Sequence, residues 1–210
     1  ESVCIYHDLA LRASAVTYAM LDAQKGVDLA GQVSDPAMQA WGLREIAALT
    51  GENALYSQAA QAAALIEDPV QRARALREIA LQSGETALNA EALAALEQAT
   101  GAAQAYALSE LAAAAQDAAI IERIPAAYPA ARALALAHLS QFEQAWETAT
   151  LISDPYERAH AQAFIASAWQ NADAARQIDQ PLLRDRALRD ITAQTGDSSL
   201  ANEIQSVYYR

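Results

Sequence analysis

The stretch from Ile66 to Glu85 reads IEDPVQRARALREIALQSGE. Val33 to Glu52 reads VSDPAMQAWGLREIAALTGE, and Ile178 to Asp197 reads IDQPLLRDRALRDITAQTGD. The phrase carries its own start and stop. Asp68 is a good helix N-cap, because a short carboxylate can accept from the free N–H groups of a first turn. Pro69 suits the first helical position, where no N–H is needed. Asp35–Pro36 and Asp154–Pro155 repeat that start. Ala73, Leu76, Ile79 and Ala80 fall at helical spacing, which predicts a helix from Pro69 to Gln82 with one packed face. Gly51, Gly84 and Gly196 each follow Thr or Ser, and glycine tolerates the left-handed conformation that closes a helix. A second helix is expected after each stop, over Asn53 to Glu67 and Thr86 to Ala99, ending at the next start signal.

Aligned on the Arg of the phrase, Arg12, Gln39, Arg72, Gln104, Arg132, Arg158 and Arg184 fall in register, at steps of 27, 33, 32, 28, 26 and 26 residues. Periods of about 20–50 residues mark stacked repeat arrays. Seven copies fill the 210 residues and leave no linker, so a single repeat domain over 1–210 is expected. Some copies drift from the pattern. Thr100–Gly101 and Tyr128–Pro129 replace Asp-Pro, Leu9 stands where the first copy would have proline, and the second helix at Asn171 to Asp179 is short. The expected fold class is all-α, a right-handed α-solenoid of about seven helix-turn-helix units. A compact bundle is the competing architecture, but it calls for fewer, longer helices and no repeated register. Small residues at a fixed register point, Ala13, Ala73, Ala105, Ala133 and Ala159, would let neighbouring helices approach closely.

Alanine makes up about a quarter of the chain. It is the best helix former, and its small side chain suits close helix packing. The formal net charge is −12, with Lys25 the one lysine among 14 cations. Nucleic-acid binding needs a basic footprint that this chain lacks, and the same deficit disfavours anionic membranes. No apolar run reaches the ~18 residues of a spanning helix, so membrane insertion is not expected. Cys4 is the single cysteine, so neither an internal disulfide nor a cysteine metal site is expected. It reads as a buried, inert thiol. A reducing, cytoplasmic setting is favoured over export. The chain begins at Glu1 and not at Met, which suggests a preceding tag, signal or domain.

These features resemble the tetratricopeptide-like superfamily of helical-hairpin repeats. The carrying residues are RARALREIA at Arg72 to Ala80 and FEQAWETATLI at Phe142 to Ile152, and the resemblance covers essentially the whole chain. It implies an α-superhelix with a concave face formed by the first helices, and a role in holding proteins or peptides.

The repeat serves as its own control: positions apolar in every copy are core, and positions that change chemistry face solvent or a partner. Two positions in the first helix vary strongly and lie four residues apart, on one face. They are Ser14 and Tyr18, Trp41 and Glu45, Arg74 and Glu78, Tyr106 and Glu110, Leu134 and His138, His160 and Phe164, Arg186 and Asp190. Stacking would place them in a stripe, with Trp41, Tyr106, His160 and Phe164 gripping apolar side chains and Arg74 and Arg186 meeting carboxylates. The competing assignment packs Trp41 and Phe164 against a neighbouring second helix. The recurring Arg72, Arg132, Arg158 and Arg184 read as scaffold, each reaching the Asp four residues back or a neighbouring turn.

Catalytic signals are sparse. His7, His138 and His160 show no metal-ligand spacing, although His138 and His160 occupy stripe positions on adjacent copies. The seven glycines are expected at turns and form no phosphate loop. The expectation is a non-enzymatic scaffold for a protein or peptide partner, with no cofactor and no metal. The alternatives are a regulatory or assembly segment of a larger protein and, from another class, an enzyme on a helical-repeat scaffold. The terminal helices, including Tyr208 and Tyr209, are candidates for self-association.

Overall fold

The computed structural model describes residues 2–204. They form α-helices and two short 3-10 segments, with no strand among the described residues. Two compact units divide the chain, at residues 1–107 and 108–210.

The first unit contains α1 (Ser2–Ala19), α2 (Ala23–Ala30), α3 (Pro36–Thr50), α4 (Ala54–Ala64), α5 (Pro69–Ser83) and α6 (Ala87–Leu96). Each odd helix packs on the even helix that follows it, α1 packs on α3, and α3 packs on α5. The boundary between units falls within α7 (Gly101–Ala115). The second unit contains α8 (Pro129–His138), α9 (Phe142–Thr150), α10 (Pro155–Trp169), α11 (Ala172–Arg176) and α12 (Pro181–Thr195). Here α8 packs on α9, α10 on α8 and α12, and α11 on α12. The 3-10 segments are Ala118–Arg123, against α8, and Ser198–Glu203, against α12.

The start and stop signals act as read. Asp35, Asp68 and Asp154 accept from the backbone N–H of Met38, Gln71 and Glu157, at 2.8, 2.8 and 2.7 Å. Gly51, Gly84 and Gly196 sit at φ 74°, 75° and 74°, and their N–H groups return to Ala47, Ala80 and Thr192. Gly26 and Gly42 depart from the expectation that glycines mark turns: both lie inside helices. A Cβ on Gly26 would stand 2.7 Å from Ala19 Cβ and 2.8 Å from the Ala15 carbonyl oxygen, so its bare backbone allows α2 to lie directly on α1.

The second helices are shorter than expected. α4 ends at Ala64 and not Glu67, α6 at Leu96 and not Ala99, and α11 covers only Ala172–Arg176 of the expected Asn171 to Asp179. The cause is a tightened last turn with i→i−3 bonds, Leu65 and Ile66 donating to Ala62 and Ala63, and Gln177 and Ile178 to Ala174 and Ala175. The turn drives Ile66 and Ile178 into the core, as it does Val33 and Ile152. Burial of such an aliphatic side chain stabilises by about 1.5–3 kcal/mol.

The register position then closes the turn, though not through the Asp four residues back. Arg72 Nη1 donates to the Ile66 carbonyl at 3.3 Å and Arg158 Nη1 to the Ile152 carbonyl at 2.9 Å. Gln39 and Gln104 donate to the carbonyls of Ala30 and Leu96, the last residues of α2 and α6. A helix end leaves unpaired carbonyls, and these donors satisfy some of them. Asp68 and Asp154 are meanwhile used as caps. Arg132 and Arg184 lie instead near Glu122 and Asp185, at 3.8 and 3.5 Å.

Ala73, Ala105, Ala133 and Ala159 are buried, whereas Ala13, in the first copy, is exposed. Asp8 also departs from the pattern. Leu9, unlike proline, keeps its N–H, so α1 runs through this point and Asp8 is no cap. Its buried carboxylate instead accepts from Ser34 Oγ at 2.6 Å, Ser34 N at 3.2 Å and Asp35 N at 3.0 Å.

Candidate functional site

Of the fourteen stripe positions, Ser14 is exposed and Leu134 half-buried, and none of the other twelve side chains is buried. Tyr18, Arg74, His138, His160, Phe164 and Arg186 are exposed, and Trp41, Glu45, Glu78, Tyr106, Glu110 and Asp190 are half-buried. The N-capped starts of α3, α5 and α10 fix the phase of their helices, so that Trp41, Arg74 and His160 emerge on the face opposite each packed ridge.

In the first unit, α3 and α5 hold a cleft of about 170 Å³. Ala37, Ala40, Ala75 and Ile79 form its apolar floor, and Trp41, Arg44, Arg74 and Glu78 form its walls. Trp41, Arg74 and Glu78 are stripe residues; Glu45 does not line this cleft. The ring of Trp41 lies beside two arginines: the guanidinium carbon of Arg12, from α1, stands 3.6 Å from the ring centre, and that of Arg44 stands 6.0 Å away. Glu78 accepts from Arg77 Nη2 and lies 3.8 Å from Arg44 Nη1. On α1, Ser14 and Tyr18 border a shallow depression with Thr17 and Leu21, and Lys25 Nζ sits 4.2 Å from the Tyr18 ring centre.

In the second unit, α10 and α12 hold a cleft of about 140 Å³ lined by His160, Ala163, Phe164, Ser167, Arg186 and Asp190. Four of these six are stripe residues. Phe164 packs on the ring of His138, from α8, with centroids 5.2 Å apart, so its ring partner also comes from a first helix. His160 meets Tyr156 edge-on at 5.4 Å. The two stripe histidines therefore each have their own aromatic neighbour. Asp190 accepts from Arg189 Nη2 at 2.6 Å and lies 3.8 Å from Arg186 Nε.

The arrangement suits holding side chains. Each cleft offers an aromatic wall, at least one arginine and a carboxylate, over three alanines and Ile79 in the first and Ala163 in the second. His160 and Ser167 are two helical turns apart on α10, about 10 Å along its axis, too far for one to activate the other. Among the described residues, no three His, Cys, Asp or Glu side chains converge as a metal site would require. No helix among them is long and apolar enough to cross a membrane. The side chain of Cys4, and Tyr208 and Tyr209, lie outside the described residues.

Sequence reasoning missed Arg44 as a cleft residue, Arg12 as the neighbour of the Trp41 ring, and Arg77 and Arg189 as partners of the stripe carboxylates. The signal was present. Arg44, Arg77 and Arg189 stand five residues after the register position in all three copies of the phrase, each followed by Glu or Asp. A search for positions that change between copies passes over such a constant one, although Arg44 lines the cleft. Comparison with protein-family models, curated proteins and solved structures found no match to this chain.

Proposed function

We propose that this chain is a non-enzymatic binding module, a tetratricopeptide-like right-handed α-solenoid of about seven hairpins that holds a protein or peptide through its first helices. The observation that carries this reading is that all fourteen variable side chains reach the surface, while the register alanines Ala73, Ala105, Ala133 and Ala159 are core. In each unit, two successive first helices bring such side chains together in a cleft: Trp41 with Arg74 and Glu78, and His160 and Phe164 with Arg186 and Asp190. Hairpin-on-hairpin packing within each unit supports a repeat array, and a pre-formed surface lowers the ordering cost of binding.

The test replaces Trp41, Tyr106 and Phe164 together with alanine. Partners captured by the wild-type chain from native lysate and identified by mass spectrometry are expected to be lost, with the far-UV circular dichroism unchanged. An unfolded variant assigns the aromatics to the core, and a folded variant that keeps its partners places binding elsewhere; either result overturns the proposal.

A further inference from the structure

The register separates α1 from the first helices that follow it. One, four and eight residues after the register position, α3 carries Ala40, Leu43 and Ala47, and α5 carries Ala73, Leu76 and Ala80. All six are buried. At the same three positions stand Ala13 and Val16 of α1 and Met20 just past its end. They are equally apolar, yet Ala13 is exposed, Val16 half-buried and Met20 66 % exposed. The packing supplies the reason. α3 packs against both helices of the hairpin before it, α1 and α2, and α5 packs against α3 and α4. No described helix precedes α1. Its own second helix, α2, lies on the other side, with Gly26 against Ala15 and Ala19. The open face of α1 is therefore the seat that a preceding hairpin fills elsewhere in this unit.

The face matches itself. At about 100° per residue, Tyr6, Leu9, Ala10, Val16, Thr17 and Met20 fall on the same side of α1 as Ala13, and all but the half-buried Val16 are exposed. Reversing the helix about Ala13 exchanges Tyr6 with Met20, Leu9 with Thr17 and Ala10 with Val16. A second α1 laid antiparallel across the first would set Leu9 against Thr17 and Ala10 against Val16, a larger side chain against a smaller one each time. Two alanines at the crossing let the backbones approach closely. The thioether of Met20 would meet the ring of Tyr6, a favourable sulfur–aromatic contact. None of these side chains is charged near neutral pH, so two copies of a chain of net −12 can meet here without bringing like charges together. At the other end of the register, the 3-10 segment Ser198–Glu203 turns Ser198, Ser199 and Asn202 to solvent, a polar surface that does not match this face.

We infer that the open face of α1 is a homodimer interface, on which two copies of this chain pack α1 against α1, antiparallel, about a two-fold axis at Ala13. A two-fold contact uses one patch twice and closes on itself. From Tyr6 to Met20 the face runs about 21 Å. One helix on one helix buries an area at the low end of specific interfaces, and a dissociation constant on the order of 10 μM is expected. The inference stands apart from the peptide-binding reading.

The test is sedimentation equilibrium of the wild-type chain at concentrations spanning that constant. Monomer and dimer are expected to interconvert with concentration. Added salt should strengthen the association, because it screens the repulsion between two chains of net −12. Ala13→Glu sets two carboxylates face to face at the axis and should weaken the dimer more than about tenfold. Its far-UV circular dichroism should not change, since Ala13 is exposed. Ala13→Lys should weaken the dimer as much, and an equimolar mixture of the two Ala13 variants should restore it, because position 13 then meets its opposite charge. Met20→Lys, away from the axis, should also weaken the dimer and keeps the test valid if a change at Ala13 disturbs the fold. A wild-type chain that stays monomeric throughout overturns the inference, as do open-ended oligomers in place of a dimer. So does a dimer that survives Ala13→Glu or Met20→Lys in a folded chain, or a mixture of the two folded Ala13 variants that stays monomeric.

Discussion

The carboxylate of Asp8, inside α1, accepts the hydroxyl of Ser34 at 2.6 Å and so holds the turn that starts α3. The Ser34 hydroxyl bond is the main cause that lowers the Asp8 pKa; burial opposes it, and the N–H groups of Ser34 and Asp35 lower it further. A depressed native pKa means that the unfolded chain takes up the proton first. The stabilisation is then complete above the unfolded aspartate value of about 3.9 and is lost as pH falls through the native one. Urea midpoints should show Asp8→Asn less stable than wild type near neutral pH, with the gap closing in acid. A gap independent of pH would contradict this.

Gly84 and Gly26 should fail for different reasons. Nothing lies within 4 Å of a Cβ on Gly84, so Gly84→Ala meets only the backbone penalty of φ 75°, about 1–2 kcal/mol for an L-residue. Gly26→Ala gains about 1 kcal/mol of helix propensity. It also drives a Cβ to 2.7 Å from Ala19 Cβ and 2.8 Å from the Ala15 oxygen, so α1 and α2 must separate. Overpacking of this kind costs about 1–3 kcal/mol, and the net effect should be destabilising in a urea titration. A Gly26→Ala chain more stable than wild type would show that the helices part easily.

Arg158 should tolerate glutamine better than methionine. Gln39 and Gln104 already donate to the end of the preceding helix from the same register position. Methionine keeps much of the stem but cannot donate. The expected loss for Arg158→Met is about 1 kcal/mol, the net worth of one hydrogen bond, with Arg158→Gln nearer wild type. Equal loss in both would mean that packing, not donation, matters here.

Asp154→Ala should cost about 1 kcal/mol through the lost N-cap, and Asp154→Asn much less, since asparagine caps equally well. Thermal melts of the two variants against wild type would separate them. Equal melting of all three would mean that Pro155 alone sets the start of α10.

Helix starts and stops were legible because they depend on local chemistry. An aspartate before proline and a glycine after Thr or Ser act within one turn, and three copies of the phrase expose them. The ends of the second helices were less legible, because they depend on Ile66 and Ile178 turning into the core and, at Ile66, on Arg72 arriving from the next helix. For the candidate site, variation between copies located Trp41, Arg74, Glu78, His160, Phe164, Arg186 and Asp190. It overlooked Arg44, which is constant across the three copies of the phrase, and Arg12, whose reach from α1 to Trp41 leaves no mark in the spacing of its own helix.

The sequence alone thus determined an all-helical chain written in a repeated register, since helix propensity, capping and apolar spacing are properties of neighbouring residues. Tertiary structure decided what each constant letter does. Asp8 becomes a buried acceptor where Asp68 is a cap, because Leu9 lets α1 continue through the position. Arg72 closes the preceding helix, while Arg12 lies over Trp41. Identical positions in the register acquire different partners because the donors and acceptors they meet belong to other helices, and only packing brings those within reach.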